Sequence, residues 1–201
     1  MNENFFRTAD EETLGKFAEQ LWQAIFRASR VRYIPLCNID IGRAPVLDGD
    51  TATVLPDFKC LSPEHKWTAC IDSKCKKSAV LWRKMNQLRH GINLRSWRQY
   101  QEYAEITSEP CGLAVMECFV DERHSKWSGS LLVQSLRALG EPVYGFNEPT
   151  QKVYWPRGKF RRLGDHYSPE QLYRIAKGCG APSFELELVE IFDARKQVTL
   201  F

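Results

Sequence analysis

The sequence predicts an α/β fold: a mixed central β-sheet flanked by helices, carrying a small α+β extension at its C-terminal end. Three observations point there. Apolar residues recur at helical spacing near the N-terminus, short apolar and β-branched runs follow, and a helical stretch then separates these from one more apolar strand. The resulting order is α-β-β-β-α-β over residues 10–121, with the extension at 122–201. A chain of 201 residues suits a single domain with an ordinary core.

Asp10 to Ser29 reads as an amphipathic helix. Leu14, Ala18, Leu21 and Ile25 recur on one face, and Phe17, Trp22 and Phe26 widen it. Thr8 or Asp10 can cap its start, with Glu11 and Glu12 well placed in the first turn. Arg32 to Ile41 is expected as the first strand, ending in a loop with Gly42, Pro45, Asp48 and Gly49. Thr51 to Cys60 gives a second strand, and Trp67 to Cys75 alternates as a third. Ser78 to His90 and Leu94 to Thr107 are expected as helices separated by Gly91, and Gly112 to Val120 as the fourth strand. In the extension the expectations are a helix over Ser130 to Leu139, short strands over Pro142 to Phe146 and Lys152 to Trp155, a helix from Ser168 to Lys177, and a last strand from Phe184 to Phe192.

Composition narrows the function classes. A hydrophobic fraction of 43% and a charged fraction of 26% are those of a globular protein. No apolar run approaches the ~20 residues that span a bilayer, and no signal or transit peptide is visible, so a cytoplasmic or nucleoid-associated protein without a membrane partner is expected. Seven cysteines, an odd number without a Cys-x-x-Cys pair, read as reduced and mostly buried thiols. His65, His90, His124 and His166 are scattered, which argues against zinc. No phosphate-cradling glycine loop exists, so any helicase would be a separate, larger protein partner.

The chemistry concentrates in Pro56-Asp57-Phe58 and Ile71-Asp72-Ser73-Lys74. Side chains two apart on a strand share a face, so Asp72 and Lys74 project together. If the second and third strands pair as a hairpin, Asp57 joins them. Two carboxylates suit Mg²⁺ or Mn²⁺, which takes oxygen ligands and leaves positions for water and phosphate. Asp57 and Asp72 are thus the expected ligands, the Ser73 carbonyl another, and Lys74 an electrostatic stabiliser that positions water. Taken singly, Asp57 reads as a turn cap beside Pro56 and Asp72–Lys74 as a surface ion pair; the apolar lead-in from Trp67 to Ile71 argues against the latter.

At these residues the chain resembles the PD-(D/E)xK nuclease superfamily, which includes restriction endonucleases, Holliday-junction resolvases and RecB-like nuclease domains. The resemblance runs from about Leu14 to Val120. It implies a restriction-endonuclease-like core, metal-dependent hydrolysis of DNA, and a metal-binding role for Glu19 in the Gly15-x-x-x-Glu19 pattern. It also implies a Gln or Tyr facing the site from the following helix. Gln99, Tyr100, Gln101 and Tyr103 are the candidates, and the sequence does not decide between Tyr100 and Gln101. Asp72 stands where Glu is commoner, the Gly42 to Asp50 loop is an insertion, and the chain beyond Val120 matches no pattern.

DNA contacts are expected from two basic clusters. Lys76, Lys77, Arg83, Lys84, Arg95 and Arg98 lie in a stretch from Lys74 to Arg98 without a carboxylate. Arg157, Lys159, Arg161 and Arg162 sit among Tyr154, Trp155 and Phe160. Cutting both strands would call for a homodimer with two sites. The rival reading is a non-catalytic DNA-binding or assembly module that keeps the fold.

Overall fold

A computed structural model describes residues 3–36, 55–62, 67–77, 79–121, 126–145 and 151–192. The Gly42 to Asp50 loop, His65, His124, and the side chains of Lys84 and Trp127 lie outside this description.

The first long helix forms where its spacing places it. After α1 (Glu3–Thr8), α2 (Glu11–Ala28) starts at Asp10, whose carboxylate accepts from the Thr13 amide at 2.7 Å. Glu11 and Glu12 then complement the positive end of the helix dipole. Its apolar face, Leu14 through Phe26, is buried, while Glu19 stays half-buried at the border.

The strands β1 (Arg32–Pro35), β2 (Phe58–Leu61) and β3 (Thr68–Lys76) pair antiparallel in succession. Two short β-strands, β4 (Val80–Trp82) and β5 (Gln87–Asn93), replace the helix expected over Ser78 to His90. A single 3₁₀ turn at Arg83–Met85 and Asn86 in the left-handed region, φ 44°, reverse the chain between them. Helix α3 (Leu94–Thr107) follows, then β6 (Cys111–Asp121), parallel to β3.

The chain beyond β6 supplies strands to both sheets. Strand β7 (Lys126–Ser135) pairs antiparallel with β6 and runs through most of the segment expected as helix. Only α4 (Leu136–Leu139) remains of that helix, capped where the Ala138 amide donates to Ser135 Oγ. Strands β8 (Val143–Tyr144), β9 (Lys152–Pro156) and β10 (Arg161–Tyr167) come next, then α5 (Pro169–Ala176) with its Ser168–Gln171 capping box. Residues Glu185–Phe192 form α6 rather than the expected strand. Phe184, Leu188, Ile191 and Phe192 are buried at helical spacing.

The result is a six-stranded mixed sheet, β1-β2-β3-β6-β7-β10, and a four-stranded one, β4-β5-β9-β8. On one face of the larger sheet Ala69, Ile71, Ala114 and Met116 pack with residues of α2, α5 and α6. On the other, Cys70, Leu113 and Val115 pack with Trp97 and Tyr100 of α3 and with Ile92 and Trp155 of the smaller sheet. Asp72, Lys74 and Lys76 belong to this second face by alternation. The mixed α/β sheet flanked by helices is therefore present, with a second sheet built from β4 and β5, between β3 and α3 in the chain, and from β8 and β9 of the C-terminal extension.

Candidate active site

Strand β3 is central and buried from Ala69 through Ser73, so Asp72 lies near the end of its buried run. Because Phe58 pairs with Ile71, the residue just before β2, Asp57, comes level with Asp72. The Asp57 carboxylate turns toward the neighbouring residue: its Oδ2 accepts from both the Ser73 amide and the Ser73 hydroxyl, each at 2.7 Å.

Asp72 is 1% exposed. Its Oδ1 accepts from Lys74 Nζ at 2.7 Å, and the Tyr100 hydroxyl acts on the same carboxylate. Yet Oδ2 is buried with no hydrogen bond of good geometry. Burial, with the Asp57 charge adding to it and Lys74 opposing, pushes the Asp72 carboxyl up to about 6. An oxygen of that kind is a place for a cation or a proton.

Lys74 is about one-third exposed, 32% by side chain. Burial works against its charge, but Asp72 and Asp57 outweigh this and hold the ammonium above the ordinary lysine range. Glu19, reaching in from α2, is raised by burial and by repulsion from Asp57, with Lys74 opposing. Lys76 is lowered, first by burial, then by the charges of Lys74 and of Lys152 on β9. Lys152 is a neighbour that sequence reasoning missed, and only the pairing of β9 with β5 makes it visible.

The structure thus brings Asp57, Asp72, Ser73, Lys74, Glu19 and Tyr100 together. Gln101 goes elsewhere: exposed, it lines a groove of about 480 Å³ framed by α3, Glu109, Pro110, Arg137 and Glu141. Among the described residues no three His, Cys, Asp or Glu side chains are close enough to cage an ion. Two carboxylates, one with an orphaned buried oxygen, nevertheless fit a hard divalent cation that keeps most of its water.

Several of the expected DNA-binding cations are engaged within the protein. The Arg157 guanidinium donates to both oxygens of Glu117, through Nε at 2.9 Å and Nη2 at 2.5 Å. Arg161 pairs with Glu190 and Arg162 with Asp165, while Lys159 donates to the Leu139 carbonyl. Lys77 donates to the Arg7 and Ala9 carbonyls. Arg83, Arg95 and Arg98 are exposed. Glu117 also meets His90 Nε2 at 3.0 Å, and this buried cluster clamps β5 and the turn after β9 onto β6. Burial raises the Glu117 carboxyl, but bonds from His90 and Arg157 outweigh that and hold it below the usual range.

No family model and no curated protein matches the chain. Among solved structures, it is similar to the Holliday junction resolvase Hjc of the hyperthermophile Archaeoglobus fulgidus, with a TM-score of 0.40 and 11% identity over 72% of this chain and 89% of that one. It is also similar to a nuclease from a fusselovirus, with a TM-score of 0.36 and 13% identity over 83% of this chain and 89% of that one. Likeness at this level carries no chemistry into the site, which stands on its own geometry.

Proposed function

We propose that the chain hydrolyses DNA phosphodiester bonds at the Asp57–Asp72–Lys74 site, as a Mg²⁺- or Mn²⁺-dependent nuclease. The observation that carries this reading is the buried Asp72 carboxylate, with Oδ1 on Lys74, the Tyr100 hydroxyl acting on the group and Oδ2 without a hydrogen bond of good geometry, level with a second carboxylate. A buried carboxylate with one oxygen left unsatisfied costs stability, and such costs concentrate at functional sites. A binding module without catalysis would be better served by an apolar residue there.

Asp57 and Asp72 would hold the cation, with Glu19 close by and the Ser73 carbonyl as a further oxygen. Bound there, the ion supplies Lewis acidity against the charge of the phosphate. Lys74, kept as an ammonium by two carboxylates, is a donor and not a general base at neutral pH. Its exposed portion orients the attacking water or steadies negative charge on the phosphate oxygens. Tyr100 fixes the Asp72 rotamer from α3, and Lys76 with Lys152 adds positive charge for the flanking backbone. DNA as the substrate rests on the motif resemblance and on these cations.

Incubating labelled single-stranded, duplex and branched DNA with Mg²⁺, Mn²⁺ or EDTA tests the reading. Wild type should give metal-dependent products that Asp72→Ala and Lys74→Ala both lose. Intact DNA binding without cleavage on any substrate would leave a non-catalytic module.

A further inference from the structure

The β4–β5 hairpin exposes apolar side chains that the proposed chemistry does not use. Val80, Leu81, Met85 and Leu88 are 46%, 51%, 61% and 45% exposed. Leu81 and Leu88 are cross-strand partners. They lie on the face of β5 that, further along, seats His90 against Glu117 and Ile92 in the core beside the main sheet. The two leucines therefore overhang the side of the molecule where the larger sheet presents Lys74 and Lys76. Met85 stands at the turn.

The hairpin is braced by its own side chains. Arg89 stacks on the Trp82 ring, 4.4 Å from its centroid, and donates to the Gln87 side chain at 2.9 Å. Trp82 in turn meets Tyr154 edge-on. At its inner end β5 continues directly into α3, which carries Tyr100 to Asp72. Hairpin and candidate site thus belong to one continuous stretch.

Charge selects the occupant. From Lys74 to Arg98 the chain has no carboxylate, and Arg83, Arg95 and Arg98 are exposed cations there. A second copy docking here about a two-fold axis would bring like charges together. A polyanion that also offers apolar faces fits both features, and unstacked nucleobases are such faces. Paired duplex hides them.

We propose that the β4–β5 hairpin is a wedge that packs Leu81, Met85 and Leu88 against unpaired or unstacked bases, directing the site to branched or frayed DNA. The proposal rests on the nuclease reading. Its test is binding in EDTA, so that nothing is cut, of the full chain to a labelled duplex and to a branched DNA with 2-aminopurine beside the branch. Wild type is compared with the Leu81→Ser, Met85→Ser, Leu88→Ser triple variant, whose changes are at exposed positions.

Loss of stacking should weaken branched-DNA binding about tenfold and duplex binding less than about twofold. It should also abolish the rise in 2-aminopurine emission that wild type produces. Equal loss on both DNAs, or no loss on either, overturns the wedge. So does a shift in sedimentation with branched-DNA affinity unchanged, which assigns the face to a second copy. If wild type cleaves with Mg²⁺ but the variant binds every DNA equally well, the wedge fails alone. If wild type neither binds nor cuts any DNA, the nuclease reading fails with it.

Discussion

Lys74 Nζ sits 2.7 Å from Asp72 Oδ1, two residues apart on one strand, with the carboxylate buried and the ammonium about one-third exposed. The pair is asymmetric. One partner is locked and desolvated; the other retains the exposure needed to meet a substrate. Replacing Lys74 by Gln removes the charge at similar length, so single-turnover cleavage is expected to fall by about 10²–10³, the size seen when one preorganised donor is lost. Divalent-ion affinity should hold or rise, because a competing cation has gone.

Metal binding should depend on pH through Asp72. Its carboxyl, pushed up to about 6, keeps its proton in acid, and a proton competes with a cation for the same oxygens. The Mn²⁺-induced rise in melting temperature should be large near about pH 7.5 and small near about pH 5, a window set by that raised value. A shift that does not change with pH would remove Asp72 from the ligand set.

Glu117 has the opposite sign. Its carboxyl lies below the usual range in the folded protein, so the stability it contributes is present above its unfolded value of 4.5 and is lost as pH falls through the folded one. Glu117→Gln leaves Arg157 and His90 without their anion and should cost about 3 kcal/mol near neutral pH. Urea titrations at neutral and acid pH should show this cost shrinking as the wild-type carboxyl protonates.

Gly91 is fixed by packing. A Cβ there would lie 2.5 Å from Tyr154 Cδ1 and 2.6 Å from the Val153 carbonyl oxygen, and the latter is backbone in the paired strand. Gly91→Ala should therefore separate β5 from β9 and destabilise by about 2 kcal/mol, within the range for overpacking. Thermal melting checks it.

The parts of the fold that were legible in the sequence are those with one dominant period. The α2 face and the strand from Trp67 onward each bury a continuous pattern, and the hairpin placing Asp57 level with Asp72 follows from strand geometry. Ser78 to His90 misleads because its basic residues favour a solvated helix, whereas Leu88, His90 and Ile92 alternate toward the larger sheet and Asn86 supplies the turn. Phe184 to Phe192 misleads in reverse: alternating apolar residues suggest a strand, yet burial follows a helical stripe and leaves Leu186 76% exposed. In the site, Tyr100 and Gln101 are neighbours that only the docking of α3 separates. Arg157 looked like a phosphate contact because its anion, Glu117, lies 40 residues away in sequence.

Asp72→Asn separates a metal-holding Asp72 from one that merely supports the fold, through cleavage and stability measured together at about pH 7.5 without and with Mg²⁺. The expected result is loss of metal-dependent cleavage in a protein at least as stable as wild type without metal, since burial raises the Asp72 carboxyl to about 6 despite Lys74 and its ionised form costs stability at that pH. Retained cleavage, or a variant that is inactive only because it unfolds, would contradict it.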